Sequence, residues 1–298
     1  MKIDFFSNNF LTKLSDNIID KKNNNYPKIS IVMPSYNQVQ FIERSILSIL
    51  NQDYPNTELI IVDGGSKDGT VDVIQKYKDA ITLWISEKDQ GQSDALNKGF
   101  KHCTGEIYGW LNSDDIYLPN AFKVAIEALE KNVDKKIVFG DWLSLNKVDK
   151  VFDYNHAFDF NLNHFKYESF HLSAQSMFWR ADVYKRFLGF DNRLYNTMDY
   201  QMILEFGINE GNNSFLRIPH ILGGFRVYDG QKTVSGMNIK VINEHKLIAQ
   251  KYNYEDKYEL IGTIKRLYFR IRRTFWYMKR GGIMNLINRL KKSYVNRI

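Results

Sequence analysis

The chain has 298 residues, 44% of them hydrophobic and 14% aromatic, enough to bury a sizeable core and to exclude wholesale disorder. Its single cysteine, Cys103, excludes an internal disulfide framework and restricts any metal site to oxygen or imidazole ligands. The formal net charge of +7 is uneven: eleven Lys or Arg and no acidic residue lie between Lys265 and Ile298, whereas residues 1–264 hold 30 basic against 34 acidic residues, a net of −4.

In chain order, residues 1–26 give a weak helical pattern (Phe10, Leu14, Ile18) and a polar linker ending at Tyr26-Pro27. Residues 28–33 read as a strand rich in β-branched side chains, stopped by Pro34, and the apolar positions from Val39 to Leu50 recur at helical spacing. Thr57 to Val62 is a near-continuous apolar run, the pattern of a strand covered on both faces, and it ends in the glycine-rich loop from Asp63 to Thr70. A helix from Val71 to Tyr77, a strand from Ile81 to Ile85, a polar loop from Glu87 to Asp94, a helix from Ala95 to His102 and a strand from Ile107 to Leu111 follow. This alternation predicts an α/β fold with a mostly parallel sheet flanked by helices, joined by right-handed crossovers.

In such a sheet the loops leaving the carboxyl ends of the strands gather along one edge, where ligands bind. Four of these loops carry Tyr36 and Asn37, then Asp63, then Asp94, then Asp114 and Asp115. Adjacent carboxylates behind a buried strand are costly unless a cation or a hydrogen-bonding ligand neutralises them, which points to a divalent metal carrying a nucleotide diphosphate, with an Asx-type turn capping a helix near Pro119 as the rival reading of the isolated motif. Neither the Gly-x-Gly-x-x-Gly fingerprint nor the Gly-x-x-x-x-Gly-Lys-Ser/Thr loop is present, so the diphosphate charge needs another partner, and Mg²⁺ or Mn²⁺ on oxygen ligands supplies it. The six histidines form no pair at the spacing of zinc ligands.

The motifs Ser30-Ile-Val-Met-Pro-Ser-Tyr-Asn37, Ile61-Val-Asp-Gly-Gly-Ser-Lys-Asp-Gly-Thr70, Gly91-Gln-Ser-Asp-Ala-Leu-Asn-Lys-Gly99 and Leu111-Asn-Ser-Asp-Asp115 together resemble the family 2 inverting glycosyltransferases of the GT-A fold, over roughly residues 28–232. The resemblance implies a Rossmann-like GT-A domain, here bounded at 27–235, between the N-terminal segment 1–26 and a basic helical extension 236–298. It implies a nucleotide-sugar donor held by Pro34, Ser35, Tyr36, Asn37, Asp63 (nucleobase), Asp94 and Asp114 (ribose or sugar), with Asp115 on Mn²⁺ or Mg²⁺. Relatives often carry Asp at the position of Asn112 and His at that of Tyr228, which leaves the metal leaning on Asp115. Asp94 has an equal reading as a cap of the helix that follows it.

The segment from Phe190 to Gln201 resembles the family's stretch that places the catalytic base at a helix start, and Asp199 is the one candidate there. A helix N-terminus would lower its pKa. Gln175 and Trp179 stand as a sugar-facing wall, with core packing as the rival meaning for the ring, and Arg226 and Lys232 as diphosphate contacts, with a carboxylate partner as the rival for Arg226. The acceptor implied is a hydroxyl of a saccharide or lipid-linked saccharide.

No stretch reaches the ~18 apolar residues of a membrane span, and residues 1–26 lack a signal-peptide core, so a cytoplasmic location is expected. Residues 260–298 mix Lys and Arg with apolar side chains, which fits adsorption to an anionic membrane surface; docking on the chain's own domain, self-association and nucleic-acid binding are the rivals. Gly281-Gly282 is expected to break this segment in two. Nucleic acid is not the expected partner; a non-catalytic or nucleic-acid-binding protein on the same fold is the alternative function.

Overall fold

The computed structural model describes residues 10–14, 26–168, 172–232 and 239–295. Its first half is built as the alternation predicts: β1 (Ile29–Ser35), α1 (Ile42–Leu50), β2 (Thr57–Asp63), α2 (Thr70–Lys76), β3 (Leu83–Ser86), α3 (Gln92–Phe100) and β4 (Ile107–Trp110). These four strands are parallel, in the order β3-β2-β1-β4. Every residue of β1 is buried, because helices cover both sides. Ile29, Ile31 and Met33 enter one core with Ile42, Ile46 and Phe122, while Val32 enters the opposite core with Leu96, Phe100 and Trp110, the period-two alternation of a strand.

The strand does not stop at Pro34. Val32 accepts from the Leu111 N–H, so Pro34, two residues on, faces a side where β4 has already ended, and its missing N–H breaks no ladder bond.

The second half departs from the parallel expectation. It contains β5 (Ile116–Tyr117), α4 (Ala121–Lys131), β6 (Ile137–Leu145), β7 (Val151–Asn155), α5 (Leu162–Tyr167), β8 (Met177–Arg180), α6 (Ala181–Lys185), α7 (Met198–Glu210) and β9 (Phe215–Arg226). The sheet continues as β4-β8-β6-β9-β5 with β7 beside β6, and of these pairings only β6 with β9 is parallel. The sheet as a whole is therefore mixed. One of these antiparallel pairs is a hairpin: β6 and β7 are joined by a tight turn whose Asn146 Oδ1 accepts from Val148 and Lys150, and a tight turn returns the chain antiparallel.

Two further helices follow, α8 (Ile239–Lys251) and α9 (Leu260–Val295). α9 runs through Gly281-Gly282 unbroken, contrary to the expected break; two glycines cost roughly 1 kcal/mol each, and a helix of 36 residues carries that. Its first half docks on the body: Phe269 is buried, its ring parallel to that of Tyr167 and stacked on His164, and Trp276 packs on Phe158. Phe10 and Leu11 are buried against β5 and β6, while Ile18 lies outside the described residues.

Gly223 of β9 marks the tightest approach at the sheet edge, since a Cβ there would strike the carbonyl of Gln175. Backbone cannot yield as a flexible side chain does, so Gly223→Ala is expected to destabilise the fold by about 1–3 kcal/mol, read as a lower urea midpoint at unchanged m.

Candidate active site

A cleft of about 1260 Å³ opens at the carboxyl ends of β1 and β4 and is lined by Pro34, Ser35, Tyr36, Asn37, Asn112, Asp114, Gln175, Asp199 and Lys232, among others. These strands are adjacent, and their following loops diverge, which is how a doubly wound sheet makes a crevice.

Asp63 does not line the cleft. It is fully buried at the end of β2, and its carboxylate accepts from Gly65 N (3.1 Å), Ser66 N (2.9 Å), Ser66 Oγ (2.5 Å) and Ser86 Oγ (2.8 Å). Ser66 Oγ in turn accepts from Asn37 N (2.7 Å), and Asn37 Oδ1 accepts from Lys67 N (3.1 Å), which fixes Asn37 at φ 51° and shapes the wall from Pro34 to Asn37. The carboxylate that does face the cleft from the third loop is Asp89, bonded to Gly91 N (2.8 Å) and pushed above the usual carboxylate range by burial. Asp94 instead turns to the first turn of α3, where it accepts from Gln90 N and pairs with Lys98 at 3.3 Å. Asp94 thus lies inside α3, whose N-cap is Gly91, and does not cap the helix as the alternative reading expected.

The two adjacent carboxylates part company. Ser45 Oγ of α1 donates to the carbonyls of Ser113 (2.9 Å) and Asp115 (2.6 Å) and so orients this turn. Asp115 points away from the cleft, fully buried, with Oδ1 accepting from the Arg226 N–H at 2.9 Å and Oδ2 3.4 Å from Asn112 Nδ2. Asp114 lines the cleft, its Oδ2 accepting from the Tyr228 hydroxyl at 2.9 Å. Burial drives both carboxyls above their ordinary range, and Asp114 drives Asp115 further. Asn112 accepts from Trp110 Nε1 (2.8 Å) and Gln92 Nε2 (2.7 Å), which sets its amide beside the pair.

Arg226 is also off the cleft. Its guanidinium is fully buried, paired with Asp149, bonded to the Asp114 carbonyl and stacked over Phe41 at 4.8 Å. The carboxylate-paired alternative is thus the one realised. Trp179 likewise lies in the core among Phe100 and Phe206 and lines no part of the cleft. Gln175 does line it, its Nε2 buried and without a hydrogen-bond partner among the described residues. Lys232 reaches Gln92 Oε1 (3.2 Å) and the Tyr195 carbonyl (3.3 Å), and burial lowers its pKa.

Asp199 stands in the first turn of α7, its Oδ1 accepting from Tyr200 N at 2.8 Å. The expectation of a lowered pKa is overturned: burial outweighs the helix terminus, nearby Glu244 adds repulsion, and the carboxyl is pushed up to about 6. Glu244 belongs to α8 and accepts from the backbone N–H groups of Tyr195 (3.1 Å), Asn196 (2.9 Å) and Thr197 (3.0 Å), so it holds the approach to α7. Glu244, Asp89 and the cluster of Lys257, Arg266, Arg270 and Arg273 around Glu168 were not singled out as site residues from sequence. Asp89 alone had a local signal, Asp-x-Gly ahead of a helix.

Among the described residues, no three His, Cys, Asp or Glu side chains are placed to hold a metal ion. No helix among them is long and apolar enough to cross a membrane.

This arrangement defines a mixed α/β fold with a crevice at the carboxyl ends of its parallel strands. Among solved structures it is similar to S. aureus TarS 1–349 in complex with UDP-GlcNAc (TM-score 0.65, 19% identity, 86% of this chain and 74% of that one) and to the mannosyltransferase PcManGT of Pyrobaculum calidifontis in complex with GDP-Man and Mn²⁺ (TM-score 0.60, 15% identity, 97% and 85%). The family model for glycosyl transferase family 2 matches residues 30–188, more than half of the chain, and the chain belongs to that family. An uncharacterised glycosyltransferase of Rickettsia typhi is 38% identical over 118 residues, 40% of this chain and 37% of that protein. The Escherichia coli UDP-Glc:α-D-GlcNAc-diphosphoundecaprenol β-1,3-glucosyltransferase WfgD is 34% identical over 119 residues, 40% and 47%. The matched stretches thus span less than half the length of these curated relatives.

Because the ordinary aspartate pKa lies near 3.8 and that of Asp199 near 6, folding is favoured by the protonated form: this stability is complete below pH 3.8 and is lost as pH rises through 6. Asp199→Asn is therefore expected to raise the thermal midpoint relative to the parent at pH 8 and to leave it level at pH 3.5, as scanning calorimetry at both pH values would show.

Proposed function

We propose that this chain is an inverting glycosyltransferase that moves a sugar from a nucleotide-diphosphate donor, of the UDP-sugar class, to a hydroxyl of a saccharide or lipid-linked saccharide acceptor, in the building of a cell-surface polysaccharide or glycolipid. The observation that carries this reading is the shared cleft of Asp199 and Asp114, a half-buried carboxylate of raised pKa and a carboxylate at the loop end of β4. The similarity to WfgD and to the TarS complex supports the choice of donor and acceptor classes.

In this reading the wall from Pro34 to Asn37 receives the nucleoside, with Asp63 shaping that wall from beneath. Asp199 accepts the proton of the attacking hydroxyl, a task suited to a carboxyl of pKa about 6, since a base poised near the working pH combines ionisation with driving force. Lys232 and the amide of Gln175 offer N–H donors to donor oxygens, Lys232 at the diphosphate and Gln175 at the sugar.

The residues fit a divalent ion of the Mg²⁺ or Mn²⁺ kind held from Asp114, not Asp115. Asp114 is raised by burial and lines the cleft, and such ions accept one or two carboxylates and complete their shell with phosphates and water. When bound, such an ion would stabilise the charge of the departing diphosphate. Tyr228 orients Asp114 through its hydroxyl, the part left to a residue that is not itself an imidazole ligand.

The outward face of α9, with Leu260, Ile264, Leu267, Ile271 and Phe275 exposed, supports contact with an anionic membrane surface, the place where a lipid-linked acceptor is met.

Asp199→Asn is expected to lower turnover by about 10²–10⁴-fold with UDP affinity nearly unchanged, and the parent's kcat/KM should fall below a limb near pH 6. Retained turnover in the variant removes Asp199 from the base role. Thermal stabilisation by UDP with Mn²⁺, about 2.7 kcal/mol at a hundredfold excess over Kd, should be lost from Asp114→Asn far more than from Asp115→Asn. Stabilisation by single-stranded RNA and not by UDP would support the nucleic-acid alternative instead.

A further inference from the structure

The transferase reading uses one end of the cleft and leaves its cations unexplained. Arg266, Arg270 and Arg273, at i, i+4 and i+7 on α9, present one face to the cleft, and all three converge on the single carboxylate of Glu168, at 3.8, 2.9 and 2.6 Å. Lys257 lines the same space, buried, 2.9 Å from His245 Nε2. One carboxylate does not balance three guanidiniums, and five N–H donors on each exceed what its two oxygens accept.

This cationic set is separate from the donor side. Lys232 has Asp114, Glu244 and Asp89 as its charged neighbours, while Lys257 has Arg266, Asp256 and Glu168. Asp199 lines the same cleft as both groups, with Glu244 near it and the ring of the next residue, Tyr200, 5.3 Å from Lys257 Nζ. A molecule lying along that cleft can offer a hydroxyl to Asp199 and extend to the arginines.

We propose that Arg266, Arg270 and Arg273, with Lys257, form a diphosphate-binding subsite for the acceptor. The subsite rests on the transferase reading and deepens it by naming the anionic group that the acceptor carries. Planar guanidinium forks match phosphate oxygens in pairs, and convergence of the charges inside a cleft suits a compact polyanion rather than an extended strand of nucleic acid. Glu168 holds the three side chains in register until the diphosphate takes over their donors.

Isothermal titration of full-length protein, first saturated with UDP and Mn²⁺ so that the donor end is filled, with inorganic pyrophosphate tests this. Pyrophosphate should bind, the Arg270→Gln/Arg273→Gln variant should lose at least tenfold in affinity, and Glu168→Gln should bind several-fold more tightly, a gain that a purely structural role does not produce. UDP affinity should be the same in all three. Equal pyrophosphate affinity in the arginine variant overturns the subsite. So does binding of phosphatidylglycerol vesicles, but not of pyrophosphate, that depends on these arginines, because that result assigns them to a lipid surface. A parent protein that takes up no UDP refutes the transferase reading, whereas UDP uptake without arginine-dependent pyrophosphate binding refutes the subsite alone.

Discussion

The geometry of the crevice depends on one buried carboxylate. Asp63 receives hydrogen bonds from the loop that follows it and from Ser86 at the end of β3, and its partner Ser66 passes the constraint to Asn37 after β1. Three strand-end loops are thereby tied at a single point. A buried charge is tolerated only when it is fully bonded, and here the bonding partners are the loops themselves, so satisfying the charge and ordering the crevice are the same event. The residue most strongly marked by its motif thus acts on the nucleoside wall from beneath rather than from within the cleft.

The opposite wall depends on a second carboxylate, contributed from outside the family match. Glu244 of α8 gathers the N–H groups of residues 195–197, which would otherwise be loose donors ahead of α7. Its charge also lies near Asp199 and helps to raise that carboxyl. Burial sets most of the basicity of Asp199, and one side chain some 45 residues away in sequence both braces its approach and adds to that shift. A helix that reads as an appendage in composition is part of the site's frame.

What was legible in the sequence was the framework: the first four strands, their parallel direction and the loops at their carboxyl ends follow from periodicity, and the start of α7 from the family resemblance. What was not legible was the direction taken by neighbouring side chains. Asp114 and Asp115 differ by one residue, yet the backbone of Arg226 claims the second and Tyr228 the first, and both partners lie more than 100 positions away. Asp89 and Asp94 exchange importance for a similar reason, since the turn at Gly91, with φ 108°, decides which of them looks into the cleft. The antiparallel half of the sheet was missed because its pairs β4–β8, β6–β8 and β5–β9 join strands far apart in the chain, and local periodicity carries no information on the direction of such pairings.

The basic C-terminal stretch shows how composition blends what structure separates. Read as a list, its Lys, Arg and apolar residues describe one amphipathic surface. Folded, α9 carries three arginines toward Glu168 and the cleft, buries Phe269 against Tyr167, and leaves Leu260, Ile264, Leu267, Ile271 and Phe275 on its outer side. Charges placed in a concave, partly desolvated site act more strongly and are screened less by salt than the same charges on an open helix. Three of the eleven cations that give the chain its high pI thus line the cleft that also holds Asp199, while the apolar side chains of the same helix face outward.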